Sequence, residues 1–169
     1  MRNVEIKAEV RNVEHLRAYM RANGTQHAVE MQRDVFFKAL RGRLKLRCFP
    51  DGTGVLVAYE RPDQSGPKMS DYTLAPVTEA AKLEEALTRS LGVRGIVEKR
   101  REISIVGQTR IHLDKVKGLG TFVELEVVLK PRQTARQGLT IAQGLMRELR
   151  INKSDLLEQA YMDMLEQKG

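Results

Sequence analysis

The chain has 169 residues, of which 41% are hydrophobic and 30% are charged, and its formal net charge is +7. This length and composition predict one globular domain over residues 1–169 with a core of its own. The single cysteine, Cys48, excludes an internal disulfide framework and is typical of a reducing cytoplasm. No apolar run reaches the roughly 18 residues of a membrane span, and no signal peptide is visible. The positive charge predicts an anionic partner without identifying it.

The first half of the chain alternates polar and apolar residues along several short stretches, which is the pattern of strands. One helix interrupts them, with Asn12 as its cap and Gly24 as its end. Its apolar stripe is Val13, Leu16 and Met20. The predicted strands of this half are Asn3–Val10, a long strand that ends with Asp34–Lys38, Arg43–Phe49, Val55–Arg61 and, after a loop over Pro62–Pro67, Lys68–Leu74.

The second half adds a helix, three strands and a helical C-terminus. The helix is predicted to begin with Thr78 as its cap and to end at Gly92. Two further helices are predicted near the C-terminus, the second with Ser154 as its cap and an apolar face over Leu156–Leu165. The predicted strands of this half are Gly95–Val106, Thr109–Val116 and Thr121–Leu129.

Eight strands and four helices predict an α+β fold in which a large antiparallel sheet curls or closes into a barrel. The apolar stripes of the helices need a surface to pack on, and the apolar faces of the strands supply it. The charged strand faces then point away from the helices. They face either solvent, as in an ordinary two-layer domain, or the lumen of a barrel.

Charges of one sign cluster on single strand faces, which argues against a face shaped only for solubility. Arg43, Lys45 and Arg47 share one face of a short strand, and Lys99 and Arg101 share a face of another. Like charges beside each other destabilise a sheet. Arginines and lysines gathered in this way instead suit a bound anion, and arginine supplies paired donors to phosphate oxygens.

Carboxylates occupy the same alternating polar positions on other strands, so they share the charged strand face. They suit a divalent cation. Their oxygens are the ligands that Mg²⁺ and Mn²⁺ prefer, and these ions commonly bridge a protein to phosphates. The candidate ligands are Glu5, Asp114, Glu124 and Glu126. Cations and carboxylates together predict a site for a metal-chelated polyphosphate.

Seven short motifs occur in a fixed order along nearly the whole chain. They are Asn3–Lys7, Asp34–Phe37, Arg43–Arg47, Tyr59–Pro62, Glu98–Arg101, His112–Asp114 and Leu119–Glu126. In this order they resemble the motifs of the CYTH-domain proteins, the triphosphate tunnel metalloenzymes, and the tail Tyr161–Leu165 resembles the closing segment of that family. The first motif is similar to the family's Glu-x-Glu-x-Lys signature, with Asn3 in place of the first Glu.

The resemblance implies an eight-stranded antiparallel barrel with a charged tunnel and flanking helices. It also implies an enzyme that uses Mg²⁺ or Mn²⁺ and acts on a small-molecule triphosphate. The class IV adenylyl cyclases are the subgroup that the chain resembles most, so conversion of ATP to cyclic AMP and pyrophosphate is the favoured reaction. Hydrolysis of thiamine triphosphate or tripolyphosphate is the first alternative, and non-catalytic binding of polyphosphate, nucleotide or RNA is the second.

The resemblance further assigns roles to single residues. It implies that divalent metal is held by Glu5, Asp114, Glu124 and Glu126. It implies that the triphosphate is held by Lys7, Arg43, Lys45, Arg61, Lys99 and Arg101. It implies that catalysis involves Lys7, Lys99, Arg101 and Asp114.

Two residues and the aromatic content refine this picture. Asn3 removes one negative charge from the first motif, which predicts weaker metal binding or greater reliance on Glu124 and Glu126. His112 shares a strand face with Asp114, so a role in the tunnel stands beside a purely structural one. Aromatic residues make up 5% of the chain, which disfavours a nucleic-acid stacking platform. No membrane partner is expected, and the sequence is compatible with a homodimer.

Overall fold

The structure is a computed structural model that describes residues 2–60 and 66–169. Within these residues, strands and helices follow each other in the order that the sequence predicts. The strands are β1 (Arg2–Glu9), β2 (Thr25–Phe37), β3 (Arg43–Cys48), β4 (Gly54–Glu60), β5 (Lys68–Val77), β6 (Val93–Val106), β7 (Thr109–Val116) and β8 (Gly120–Val128). The α-helices are α1 (Val13–Asn23), α2 (Ala80–Leu91), α3 (Ala135–Glu148) and α4 (Tyr161–Lys168), and a short 3₁₀ helix covers Lys153–Asp155.

The strands form one closed antiparallel barrel. Around the ring their order is β1-β5-β4-β3-β2-β6-β7-β8, and β8 closes the ring by pairing with β1. In this closing pair Glu5 lies opposite Glu126, and Lys7 lies opposite Glu124. The predicted eight-stranded barrel with flanking helices is confirmed, and its register sets charges of both signs side by side on adjacent strands.

The outer faces of the strands supply most of the apolar core, because α1, α2 and α3 pack there. Val4 and Ile6 of β1 belong to one buried cluster with Ala142 and Leu145 of α3. On the opposite side of the barrel, α2 packs against β2 and β3 through Ala80. Since apolar side chains on these strands point outward, the alternating polar side chains point into the barrel.

The C-terminal segment seals one end of the barrel. Leu157 donates its backbone N–H to the carbonyl oxygen of Lys7 at 2.9 Å, and Leu156 forms an isolated β-bridge with Ala8. Further along, the buried ring of Tyr161 packs against Phe122, with ring centroids 5.3 Å apart. These contacts place the start of α4 at the sealed end of the barrel, next to the charged interior.

The predicted cap of the last helix is wrong. Ser154 lies within the 3₁₀ helix, and α4 begins only at Tyr161. The reason is that Leu156 and Leu157 bond to the edge of β1 in an extended conformation, so their apolar side chains do not extend a helix face. Tertiary pairing here overrides the helical spacing.

Of the two caps predicted earlier in the chain, one is confirmed and the other is wrong. Asn12 caps α1 as predicted, because its side chain accepts a backbone N–H of the first turn. Thr78 does not cap α2, which begins after Glu79 without a side-chain cap. Instead, the N–H of Ala80 donates to the carbonyl oxygen of Gly52 at 3.1 Å, so a loop contact supports this end of the helix.

Two further predictions concern the middle of the chain. β5 extends to Val77, three residues beyond its predicted end at Leu74. Arg61 and most of the predicted loop over Pro62–Pro67 lie outside the described residues. None of the helices in the described ranges is long and apolar enough to cross a membrane.

Candidate functional site

The barrel interior contains a cavity of about 300 Å³. Charged side chains of both signs project into it from six of the eight strands. The cations are Lys7, Lys45, Arg47, Lys99, Arg101 and Arg110, and the carboxylates are Glu5, Glu30, Asp34, Glu124 and Glu126. The solvent-facing alternative for the charged faces is therefore excluded for these residues.

Asp34 of β2 lies at the centre of a cluster of three cations. Its carboxylate accepts from Lys45 Nζ at 2.9 Å, from Arg47 Nε at 2.8 Å and from Lys99 Nζ at 3.0 Å. Only 1% of Asp34 is exposed to solvent. One carboxylate does not neutralise three cations, so the cluster retains excess positive charge that would favour a further anion.

The pKa values in this cluster follow from burial and from the neighbouring charges. Burial alone would raise the pKa of Asp34, but Arg47, Lys45 and Lys99 outweigh it and hold that pKa well below its ordinary value. Burial lowers the pKa of Lys99 from 10.5 to about 7, with Asp34 opposing the shift and Arg47 adding to it. Lys99 is thus the cation of this cluster whose charge changes near neutral pH.

Arg101 of β6 is fixed by carboxylates on two other strands. Its Nε donates to Asp114 Oδ1 at 2.7 Å, and its Nη2 donates to Glu124 Oε2 at 2.6 Å. Asp114 Oδ2 also accepts from Arg101 Nη2, and from the hydroxyl of Tyr161 at 2.8 Å. Burial would lower the pKa of Arg101, but Asp114 and Glu124 raise it well above its ordinary value.

Lys7 of β1 lies beside this second cluster. Its Nζ is 3.2 Å from Glu124 Oε1 and 3.4 Å from the carbonyl oxygen of Gln159. The same ammonium lies 3.8 Å from the centre of the Tyr161 ring, a favourable cation–π contact. The C-terminal segment therefore orients a cation of the cavity as well as sealing the barrel.

Three side chains on β7 and β8 could together hold a metal ion. His112, Glu124 and Glu126 each offer one ligand atom, and these atoms lie within 4.8 Å of one another. Burial would raise the pKa of Glu124, but Lys7 and Arg101 hold it well below its ordinary value, so Glu124 is ionised. A buried carboxylate that stays ionised is available to a cation.

Glu5 adds a third carboxylate to this region. It pairs in register with Glu126 and lines a small cavity together with Lys7, Glu124 and Glu126. Glu126 in turn binds Arg110, with Oε2 3.0 Å from Nη2. The carboxylates of β1 and β8 thus converge on one side of the main cavity, while the cation cluster around Asp34 lies on the β2–β3–β6 side.

The structure brings most of the sequence-predicted site residues together. Those that line the main cavity are Glu5, Lys7, Lys45, Lys99, Arg101, Glu124 and Glu126. Asp114 lies behind this lining, with its oxygens bonded to Arg101 and Tyr161. Arg43 instead lines a separate cavity of about 210 Å³ and pairs with Asp163 of α4 at 3.0 Å. Arg61 lies outside the described residues.

Several residues of the site carry no role in the sequence analysis. Asp34 belongs to a recognised motif and shares the parity of Gln32 and Phe36, which also line the cavity, so strand parity could have found it. The sequence offers no such signal for Tyr161, because it lies beyond the barrel strands and reaches the site only after the chain turns back. His112 was left open between two roles and lies in the lining.

The comparisons with known proteins agree with this geometry. The sequence profile of the CYTH domain matches residues 1–161. The chain belongs to the CYTH family. No curated protein matches the chain at the sequence level.

Solved structures with the same fold cover nearly the whole CYTH chain. The PH1012 protein of Pyrococcus horikoshii is 23% identical over 95% of this chain and 98% of its own, with a TM-score of 0.84. A candidate adenylate cyclase of Vibrio parahaemolyticus is 20% identical, covers 97% of each chain and has a TM-score of 0.79. HpAC1 of Hippeastrum, a candidate adenylyl cyclase described with a dominant triphosphatase activity, is 14% identical over 98% of this chain and 96% of its own, with a TM-score of 0.65. At these identities the likeness establishes the shared fold.

Proposed function

We propose that this CYTH protein is a metal-dependent enzyme that processes triphosphates, and specifically an adenylyl cyclase that converts ATP to cyclic AMP and pyrophosphate. One observation carries the proposal: basic side chains from three strands line one cavity inside the barrel, together with the carboxylates of β1 and β8. The basic residues in question are Lys7, Lys45, Arg47, Lys99 and Arg101.

The basic residues suit the phosphate chain of the substrate. Arg47 and Arg101 present planar donors that pair with phosphate oxygens, and Lys45 and Lys99 add compact charges. The ion pairs with Asp34 and Asp114 hold these groups in place before the substrate binds. Such prearranged cations stabilise the charge that accumulates as a phosphoryl bond breaks, which is the main contribution a protein makes to this chemistry.

The acidic wall fits the divalent metal that the family implies. The donors are the carboxylates of Glu124 and Glu126, which stay ionised despite burial, with Glu5 beside them. A bound Mg²⁺ or Mn²⁺ would supply a bridge to phosphate oxygens and positive charge at the reacting centre. We assign Asp114 to the positioning of Arg101, because its oxygens already accept bonds from Arg101 and Tyr161.

In the proposed reaction the ribose 3′-hydroxyl attacks the α-phosphorus of ATP. The bond from that oxygen to phosphorus forms, and the bond between the α-phosphorus and the bridging oxygen breaks. Pyrophosphate leaves with the electron pair of the broken bond, and the proton of the hydroxyl passes to solvent water. The role of Lys99 and Arg101 is to stabilise the negative charge on the departing pyrophosphate.

The remaining lining favours a substrate with an organic group. Val57, Leu74 and Ile103 add apolar surface to the cavity. Asn3 Oδ1 and Gln32 Oε1 are buried acceptors with no hydrogen-bond partner among the described residues, and both residues line the same cavity. Buried acceptors of this kind suit a ligand that donates hydrogen bonds, such as a nucleoside. Tripolyphosphate has no apolar part and offers no such match.

Hydrolysis of a triphosphate is the second candidate function. It needs the same cations and carboxylates, with water in place of the ribose hydroxyl and the terminal phosphorus in place of the α-phosphorus. HpAC1, which shares the fold, is described with a dominant triphosphatase activity, and this observation favours keeping the candidate. Thiamine triphosphate, which carries an organic group, is the preferred substrate in this case.

Product analysis tests the proposal. The purified protein is incubated with Mg²⁺ or Mn²⁺ and with ATP, thiamine triphosphate or tripolyphosphate, and the products are separated by chromatography. We expect cyclic AMP and pyrophosphate from ATP, and phosphate without cyclic nucleotide would support the hydrolase instead. Lys99→Ala and Glu124→Ala should abolish turnover, whereas Lys117→Ala, on the protein surface, should not. No turnover of any triphosphate with either metal would overturn both functions.

A further inference from the structure

We infer that His112 supplies a nitrogen ligand to the metal site formed with Glu124 and Glu126, and that this site therefore selects Mn²⁺ over Mg²⁺. The inference deepens the proposed function, on which it rests for the presence of a metal. It adds a ligand that the sequence analysis did not assign, and it names the metal.

The register of the barrel brings the three side chains together. His112 of β7 lies directly opposite Glu124 of β8, and Glu126 follows two residues later on the same face. His112 Nδ1 is 3.7 Å from Glu124 Oε2 and 4.0 Å from Glu126 Oε1. Both distances exceed the length of a hydrogen bond, so neither carboxylate accepts one from this nitrogen.

The nitrogen of His112 makes no hydrogen bond within the described residues. Nδ1 is buried and has no hydrogen-bond partner in the described part of the chain, and the residue is only 4% exposed. A buried polar atom without a partner is unfavourable unless a ligand satisfies it. A cation placed between Nδ1 and the two carboxylates would satisfy it, with the imidazole neutral and its proton on Nε2.

The surrounding charges explain how the site would couple to substrate. Glu124 also pairs with Lys7 and Arg101, and Glu126 pairs with Arg110. These cations compete with a metal for the carboxylates when the cavity holds no anion. A triphosphate that draws Lys7 and Arg101 toward its own oxygens would release carboxylate oxygens to the metal, so metal and triphosphate should strengthen each other's binding.

The donor set distinguishes Mn²⁺ from Mg²⁺, the two ions that the resemblance implies. Mg²⁺ is a hard ion that demands oxygen ligands and gives up its water reluctantly. Imidazole nitrogen suits the first-row transition ions, and a mixed site of nitrogen and carboxylates accepts Mn²⁺ more readily than Mg²⁺. Asn3 supports the same choice, because it replaces an acidic residue of the first motif by a neutral one and leaves fewer anionic oxygens for Mg²⁺.

The test measures metal binding without substrate. Mn²⁺ is titrated into the metal-stripped protein and followed by electron paramagnetic resonance, with Mg²⁺ as competitor. We expect Mn²⁺ to bind about tenfold or more tightly than Mg²⁺. In His112→Gln, Mn²⁺ affinity should fall by about tenfold or more while Mg²⁺ affinity changes by less than about threefold. His15→Gln, on α1 outside the barrel, is the matched control and should match the wild type.

A second measurement keeps the inference testable if His112→Gln fails to fold. Pulsed electron paramagnetic resonance of Mn²⁺ bound to the wild-type protein should show coupling to an imidazole nitrogen. Absence of this coupling, equal affinity for the two metals, or unchanged Mn²⁺ affinity in a folded His112→Gln would overturn the inference. Because no triphosphate is present, each of these results is independent of whether the protein turns over ATP, so failure of the proposed function is recognised separately.

Discussion

The ammonium of Lys99 lies 3.0 Å from Oδ2 of Asp34, and both side chains are almost completely enclosed by the barrel. A buried ion pair of this kind is sensitive to any change in either partner, because water does not screen it. The Asp34 carboxylate also accepts hydrogen bonds from Lys45 and Arg47, so it positions all three cations on the basic side of the cavity.

Triphosphate affinity should fall as the pH rises through about 7. Burial and the neighbouring cations lower the pKa of Lys99 to about 7, so Lys99 loses its proton and its charge above that pH. The affinity for a nonhydrolysable ATP analogue can be measured by calorimetry from about pH 6 to pH 9. Lys99→Arg is the control, because arginine stays charged across this range while the titration of the ligand is unchanged. Identical pH profiles for the two proteins would contradict the prediction.

Asp34→Asn should strongly destabilise the protein. The substitution leaves three cations close together without their carboxylate, and breaking a buried pair in this way costs about 3–5 kcal/mol of unfolding free energy. Denaturant unfolding measures the loss, with Asp71→Asn on the exposed side of β5 as the control. Tripolyphosphate should restore more stability to Asp34→Asn than to the wild type, because it neutralises the same cations. Equal stabilisation of both would show that the anion binds elsewhere.

Tyr161→Phe should lower stability by a smaller amount. The variant keeps the ring that contacts Lys7 and Phe122 but removes the hydroxyl that donates to Asp114 at 2.8 Å. A hydrogen bond to a charged group contributes about 1.5–3 kcal/mol, and Arg101 still binds the carboxylate, so we expect the lower part of that range. Denaturant unfolding is again the measurement. Tyr19→Phe on α1 is the matched control, and an equal effect in both variants would contradict a specific role for this hydroxyl.

The alternation of polar and apolar residues along each strand, here called strand parity, made the barrel and much of the site predictable from sequence. Glu5 and Lys7 alternate with the apolar residues Val4 and Ile6, and the structure puts the first pair inside the barrel and the second pair in the core. Parity concerns one strand at a time and does not reveal which strands are neighbours. For this reason the sequence did not show that the carboxylate of Asp34 binds cations from two other strands.

The C-terminal segment was the least predictable part for a related reason. The apolar residues from Leu156 onward have helical spacing, yet Leu156 and Leu157 bond to β1 and α4 starts at Tyr161. The contact that decides the local conformation joins residues about 150 positions apart along the chain. Local spacing cannot report such a contact. The role of Tyr161 at the sealed end of the cavity depends on the same contact.

Asn3→Glu should strengthen metal binding, because it restores the acidic residue that the resemblance leads one to expect at this position. Asn3 is 2% exposed, lines the cavity and lies two residues before Glu5 on the same strand face. An added carboxylate there raises the negative charge near Glu126, and metal affinity rises with the charge of the ligand set. We expect the Mn²⁺ concentration for half-saturation to fall by about tenfold.

Asn3→Gln is the control for this last variant, since glutamine has the shape of glutamate without its charge. It should leave Mn²⁺ affinity near that of the wild type, which separates the effect of charge from that of side-chain length. The same titration in a protein that also carries His112→Gln tests whether the two positions act on one ion: non-additive changes in affinity indicate a shared site, and additive changes indicate separate ones. If Asn3→Glu does not lower the half-saturating Mn²⁺ concentration, the loss of that negative charge does not limit metal binding in this protein.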